Sequence, residues 1–580
     1  MKFKAQYTAF ILLLSATAFA QVKDENIGTE VVNVVKPYTP TISDAFKVKE
    51  TPAVEDEDNS KKADIKYNIF SFPVASTFTP SKGRAASVDK TPQEKIYKNF
   101  VSLALGNYGT INGELFVTEN IGDNGYIGGM VRHLSSAGGI KEVELEDSFR
   151  NSQIDLTYGT RTDAMSWSID GGYQNQMYNW YGLPQDYRIE LPQPDRQNII
   201  DGISPEHVFQ NLYLGTKLSF NEGVFNDVSA KFSHFWDSYG GAENRFFAKP
   251  TISFDINDTK IKTEFIVDYV GGQFDELFGP LEDYKYGYTN IGVHPSFGIV
   301  RDDWSINLGA AAFYSMATEG GDSKFFVYPQ VNASYKVVGD LMVFYAGAEG
   351  TLQQNSYRDL TTENPFIAPI QIIAPTDRQF DVFAGLKGKL ANAVSYNVRA
   401  SYLSERDKAL FKANDYDNTY IDNYDHGNSF GVVYDDVRTI TVFGELNADF
   451  SKNVSFGING SFFGYNTADQ PEAWNLPTFK LGSSLDVNIT PKWYAGAQVF
   501  FVGERKDAQL NLDNVIAAED GIVTVKSYFD ANFHLGYKHN DRLTGFLKLN
   551  NIANQQYERW LNYPVQGIQV LLGASYKFDF

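Results

Sequence analysis

The chain has 580 residues, of which 71 are acidic and 50 basic, for a net charge of −21. That balance excludes a nucleic-acid binder, because phosphate recognition needs clustered Lys and Arg. The sequence has no cysteine, which excludes a disulfide scaffold, a thiolate metal site and a cysteine nucleophile. Past the N-terminus no run approaches the roughly eighteen apolar residues of a helical membrane span, whereas a membrane β-barrel stays open because its strands are only half apolar.

Residues 1–20 read as a secretory signal. Lys2 and Lys4 form the charged start, Ala9-Phe10-Ile11-Leu12-Leu13-Leu14 the apolar core, and Ala18-Phe19-Ala20 a small-x-small cleavage site. Residues 21–98 differ from everything after them. They hold Pro37, Pro40, Pro52, Pro73, Pro80 and Pro92 and the acidic run Glu55-Asp56-Glu57-Asp58, with no helical period. This composition predicts an extended, periplasmic or partly lumenal segment. Two islands in it have the character of docking segments: Glu30-Val31-Val32-Asn33-Val34-Val35, and Tyr67-Asn68-Ile69-Phe70-Ser71-Phe72-Pro73.

From Asn99 to Phe580 the pattern turns to alternation with period two. In the last strand Ile568, Val570, Leu572, Ala574, Tyr576, Phe578 and Phe580 share one face, and Gln569, Gly573, Ser575, Lys577 and Asp579 the other. Leu571 breaks the pattern. Similar strands recur at 454–462, 479–489 and 529–538, each long enough to cross a bilayer when tilted. The connections alternate as well. Short polar turns such as Arg301-Asp302-Asp303, Thr490-Pro491-Lys492 and His539-Asn540-Asp541-Arg542 follow long segments such as 175–206, 351–378, 404–429, 503–524 and 551–566. Short turns on one side and long loops on the other predict an all-β fold, a transmembrane antiparallel outer-membrane barrel. About 22 strands fit between Asn99 and Phe580. An even count puts both ends of the barrel on the short-turn, periplasmic side. The 44 Phe, 35 Tyr and 7 Trp suit aromatic girdles at the two membrane interfaces.

The segment 547–557, Leu-Lys-Leu-Asn-Asn-Ile-Ala-Asn-Gln-Gln-Tyr, is followed by 567–578, Gly-Ile-Gln-Val-Leu-Leu-Gly-Ala-Ser-Tyr-Lys-Phe. Together they resemble the last two strands of TonB-dependent receptors, in which Asn-Asn-hydrophobic-x-Asn-x-x-Tyr precedes a final strand ending Tyr-x-Phe. The resemblance implies an outer-membrane receptor or transporter, with Tyr576, Phe578 and Phe580 as the signal read by the barrel-assembly machinery. It also implies that residues 30–35 stand where a TonB-pairing box would act, by adding a strand to a partner sheet. Residues 22–98 are fewer than a plug domain of that family needs, so the expectation is a receptor-like barrel without a full-size plug.

The search for chemistry returns little. His133, His207, His234, His294, His426, His534 and His539 show no metal-ligand or catalytic spacing. No cofactor and no enzymatic activity are expected. Asp415, Asp417, Asp422 and Asp425 form an acidic loop of carboxylates dense enough to consider for Ca²⁺, but without the spacing of an EF-hand. A solvated outward loop is the simpler reading. Trp180, Tyr181, Tyr416, Tyr420 and Tyr424 lie in predicted loops and are candidate ligand contacts. The expected function is uptake of a solute across the outer membrane. The alternatives are a passive porin, and a structural or assembly component gripping a periplasmic or surface partner protein. Outer-membrane lipid is the expected surround.

Overall fold

The computed structural model describes residues 95–580, apart from 186, 257–258, 277–283, 320, 417–421 and 510–520. Residues 1–94 therefore lie outside the described residues, and with them the signal segment, Glu30–Val35 and the 67–73 island.

Twenty-two antiparallel strands pair with their sequence neighbours, and the first, Asn99–Gly106, closes the ring on the last, Gln569–Phe578. The closing register sets Val101 opposite Tyr576 and Leu105 opposite Leu572. Closure follows from the solvent. In hydrocarbon a free strand edge would leave a row of unpaired N–H and C=O groups, so a spanning sheet must meet itself. The expected all-β barrel of about 22 strands is the fold observed. Strand length varies around the ring, from 8 residues in Leu543–Asn550 to 22 in Phe430–Ser451. About 9–11 tilted residues span a bilayer, so the longest strands exceed what crossing needs.

Alternation sorts the side chains. Leu156 (62% exposed), Leu214 and Leu572 (69%) stand on the outer surface, as do Leu103, Leu105, Val442 and Phe462. A contiguous apolar exterior of this kind has lipid as its counterpart. The opposite parity faces the lumen and is polar and charged. Arg132 pairs with Asp155 (3.3 Å), Arg245 with Asp268 (2.8 Å), Lys249 with Glu264 (2.9 Å) and Arg399 with Asp381 (2.8 Å). Leu571, the exception in the last strand, turns inward and packs on Ala104 and Phe546.

Glycine and aromatic abundance share one cause in the wall. The Tyr494 ring lies over Gly536 on the neighbouring strand, where a Cβ would sit 2.1 Å from a ring atom. Phe546 covers Gly573 in the same way, with 2.5 Å left for a Cβ. A ring can lie flat against the sheet only where the cross-strand neighbour has no side chain. Many aromatics are thus spent inside the barrel and its loops, and the membrane girdles account for only part of them.

The short turns line one rim. There Lys98 N donates to Asp579 Oδ1 (2.9 Å) and Lys98 Nζ pairs with Glu119 (2.9 Å), which fixes where the chain enters the first strand. Tyr576 and Phe580 are exposed at this end of the closing strand, with Phe578 stacked on Tyr576. Short turns mark the periplasmic rim of an outer-membrane barrel, and long loops the cell exterior.

Candidate functional site

Eleven connections join strands on the outward rim, and the longest leave their own hairpins to meet over the mouth. Segment 180–205 joins the fifth and sixth strands, and 414–429 the fifteenth and sixteenth. These hairpins stand on nearly opposite sides of the ring, yet they are interlocked. Asn428 Nδ2 donates to Trp180 O (2.9 Å), and Ser204 N donates to Asn423 Oδ1 (2.8 Å). The Tyr187 hydroxyl lies 2.7 Å from His426 Nδ1, and the Arg188 guanidinium covers the Tyr416 ring at 4.8 Å.

Two further loops complete the cap. From 551–568, Tyr563 donates its hydroxyl hydrogen to Asn428 O, while Pro564 O accepts from the Tyr181 hydroxyl (3.0 Å). From 354–375, Phe366 stacks on Tyr563 at 3.9 Å and meets Tyr181 edge-on. The apolar residues of these loops merge with those of the strand ends into one buried cluster. It runs from Phe209 and Phe274 through Tyr357, Ile367 and Phe430 to Tyr563. Loops normally stay on a surface because their polar backbone needs water. Here side-chain amides take that role: Asn428, fully buried, also donates to Asn423 O (2.9 Å) and accepts from His426 N (3.1 Å).

The short helix Tyr357–Glu363 anchors the cap to the wall. Ser356 Oγ caps it by accepting from Asp359 N (3.0 Å), and Glu243 Oε2 accepts from Tyr357 N (2.6 Å) and from the Tyr286 hydroxyl (2.7 Å). The Tyr357 hydroxyl donates to Asp237, which also accepts from Tyr239 N (2.9 Å) and Gly241 N (2.8 Å) and lies 3.1 Å from His207 Nε2. A carboxylate accepts only, so His207 carries its hydrogen on Nε2. Arg245 reaches Asp359 at 2.7 Å. Asp237 and Glu243 are each met by several donors, which offsets part of the cost of burying a carboxyl group.

The candidate ligand contacts fall at different depths. Trp180 is 0% exposed, packed on His207 (4.4 Å), Tyr239 (5.2 Å) and Tyr424 (5.5 Å), and Tyr424 is buried with it. Tyr181 and Tyr416 are half-buried in the same assembly, and Tyr420 lies outside the described residues. The closed cap thus offers a ligand little of the Trp180 and Tyr424 surfaces. Asp415 and Asp422 are exposed, Asp425 is half-buried, and Asp417 lies outside the described residues. Asp422 N donates to Asp425 Oδ2 (3.2 Å), and among the described residues no three metal-ligating side chains gather. Sequence reasoning missed Asn428, Tyr357 and Tyr563. Each is an ordinary residue in its own segment, and only the meeting of distant hairpins gives it a role.

Charge is unevenly placed. The eleven outward connections hold 27 acidic residues against 8 basic ones, so nearly all of the net −21 lies on the outward side. Two titrating groups sit inside the cap. Burial, with Arg188 beside it, holds the His426 imidazole down at about 4, so it is neutral at pH 7. Burial pushes the Asp507 carboxyl up to about 6, against hydrogen bonds from Ala413 N (2.9 Å), Asn475 Nδ2 (2.7 Å) and Ala508 N (2.8 Å).

Asp507 belongs to the loop ribbon Arg505–Ala508, paired with Ile522–Val525, and gives a pH prediction. An acid whose docked pKa exceeds its free value of about 4 holds its proton more tightly when docked. Docking of this ribbon is therefore strongest near pH 4, weakens as pH rises toward 6, and is level above that. Exchange protection of the Ala413 and Ala508 amides, corrected for intrinsic rates, is expected to fall between pH 4.5 and 7. Asp507→Asn should flatten the profile; the same slope in that variant would refute the assignment.

No family model and no curated protein matches the sequence. Solved structures do. The siderophore receptor PirA from Acinetobacter baumannii superposes with a TM-score of 0.60 at 14% identity, covering 83% of this chain and 80% of that one. The FrpB iron transporter from Neisseria meningitidis gives 0.62 at 11% identity, over 84% and 81%. The ferric-catecholate import receptor Fiu from E. coli gives 0.58 at 10% identity, over 84% and 82%. The likeness is one of fold, and it agrees with the resemblance carried by residues 547–578.

Proposed function

We propose that this outer-membrane barrel is a receptor and transporter that takes up a solute from the cell exterior. The reading is supported above all by its outward loops, which form one packed assembly over the mouth of a barrel wide enough to need a closure. The known barrels that it superposes on include a siderophore receptor, an iron transporter and a copper transporter, which supports transport in preference to a purely mechanical role. In this reading Trp180, Tyr181, Tyr416 and Tyr424 meet the solute once the loops part, and Glu30–Val35 pairs with TonB by strand addition. The acidic loops would draw cations toward the mouth and repel anions, with a strength that salt screens.

Single-channel conductance in a planar bilayer tests the reading. The full chain is expected to be closed, and deletion of residues 21–94 combined with Trp180→Ala, which unlatches the outward cap, to give conducting events. A large open conductance in the full chain would instead make the protein a passive pore.

A second reading is favoured by the depth of the loop packing. A cap this interlocked also suits a permanently sealed barrel, serving as a structural or assembly component with residues 21–98 gripping a periplasmic partner. Closed traces from that combined variant as well, together with a stoichiometric partner that copurifies, would decide for it and against transport.

A further inference from the structure

We infer that the outward loops form a gate in their own right, and that Asn428 is the residue that holds it shut. The inference rests on the transport reading for its purpose, but its geometry stands alone. Asn428 is fully buried at the point where three connections meet. Its Nδ2 reaches Trp180 O across the mouth and Asn423 O within its own loop, both at 2.9 Å. Its Oδ1 accepts from His426 N (3.1 Å), and its backbone oxygen accepts from Tyr563 of the 551–568 loop. One side chain thus joins hairpins rooted on nearly opposite sides of the ring.

The surroundings identify a closure that can separate along a defined plane. On one side lie Trp180, Tyr181, Tyr187 and Ser204, and on the other Asn423, Tyr424, His426 and Asn428. The bonds between the two sides are a handful of hydrogen bonds and ring contacts, Arg188 on Tyr416 among them, and the 551–568 loop touches each side through Tyr181 and Asn428. Within each side, strand pairing continues into the membrane. Parting the two sides therefore breaks no barrel hydrogen bond, whereas moving either hairpin out of the wall would break many. A buried amide is suited to the task because its four hydrogen-bonding positions fix one geometry, and each one left empty is costly. Asn428 is a positioning residue in this account, and its side chain acts by holding Trp180 against the Asn423 turn.

The absence of cysteine allows a direct test. Ala368 is buried beneath Trp180 and Tyr424, so Ala368→Cys reports on whether the cap is shut. Intact cells displaying the full chain are treated with a membrane-impermeant sulfonated maleimide. With Asn428 present, labelling is expected to be slow. With Asn428→Ala added, labelling should accelerate at least about fivefold, since one lost buried donor set corresponds to about 1–3 kcal/mol. Fast labelling with Asn428 present, or an unchanged rate in the Asn428→Ala background, would overturn the inference. Should Asn428→Ala fail to assemble, a Ser204→Cys, Asn423→Cys pair replaces it. Cross-linking this pair is expected to abolish the residual slow labelling at position 368, followed on its own peptide by mass spectrometry, and reductant, removed before labelling, to restore it; labelling at 368 that ignores the cross-link would overturn the gate equally. The readout is independent of the solute. A gate that opens as expected in a protein that moves nothing would count against transport alone.

Discussion

Trp180→Ala is expected to unlatch the outward cap while leaving the barrel closed. The ring is wholly buried and is held by His207, Tyr239 and Tyr424. Deleting a large buried aromatic typically costs about 3–5 kcal/mol, through lost burial and the cavity left behind. That cost falls on the cap, because Trp180 lies beyond the end of its strand at Asn179, and its one backbone bond across the hairpin, N–H to Pro205 O (2.8 Å), is kept by alanine. A cap built from loops has little stability in reserve, so a loss of this size should shift it from mostly closed to mostly open. Limited proteolysis of intact cells reads the change, with new cleavage expected within 180–205 and 414–429. The barrel itself should keep its heat-modifiable migration in SDS gels. Loss of that migration would show that the cap and the wall fold as one unit, which would contradict a separable gate. Trp180→Phe retains most of the packing and should fall between the two.

Asn551→Ala is expected to cut the yield of assembled barrel several-fold, through the last hairpin. Asn551 is the second residue of the Asn-Asn-x-x-Asn stretch and sits at φ +48°, a left-handed conformation that asparagine tolerates better than alanine. Its Nδ2 donates to Gln555 O (2.7 Å) and Gln566 O (2.9 Å), and its Oδ1 accepts from Gln555 N (3.1 Å). Asn554, at φ +52°, accepts from Ile568 N (2.9 Å) just ahead of the closing strand. Gln566 in turn reaches Ser136 Oγ (2.8 Å) on the third strand. Losing three hydrogen bonds, one buried and two half-buried, and adopting a strained φ sums to about 3 kcal/mol or more. The penalty falls where the barrel closes, so heat-modifiable migration after expression is the measure. Asn551→Gly removes the strain and keeps the hydrogen-bond loss, and should recover part of the yield. Full yield from Asn551→Ala would mean that the motif serves something other than this turn.

The same motif shows how sequence and structure divide the information. The spacing of its asparagines was legible as a resemblance. Their left-handed backbone and the bonds to Gln566 and Ile568 were not, because those depend on where a segment fourteen or more residues away returns. Leu571 is a parallel case. It breaks the alternation of the last strand, and the reason is a partner, Phe546, on the neighbouring strand. The aromatics were harder still. Period two places a Tyr or Phe on one face of a strand, but it does not say whether that ring lies over a cross-strand glycine, as Tyr494 lies over Gly536.

What the sequence determined by itself was the wall. Alternating apolar and polar residues, strands long enough to cross a bilayer, and short turns set against long loops are local properties, and in hydrocarbon they leave closure as the one outcome that pairs every backbone group. What only the tertiary structure decided was the mouth. The loops carry no period, so nothing local says which of them will meet; Trp180, Asn428 and Tyr563 come together because ring closure sets their hairpins around one opening that their apolar side chains can fill.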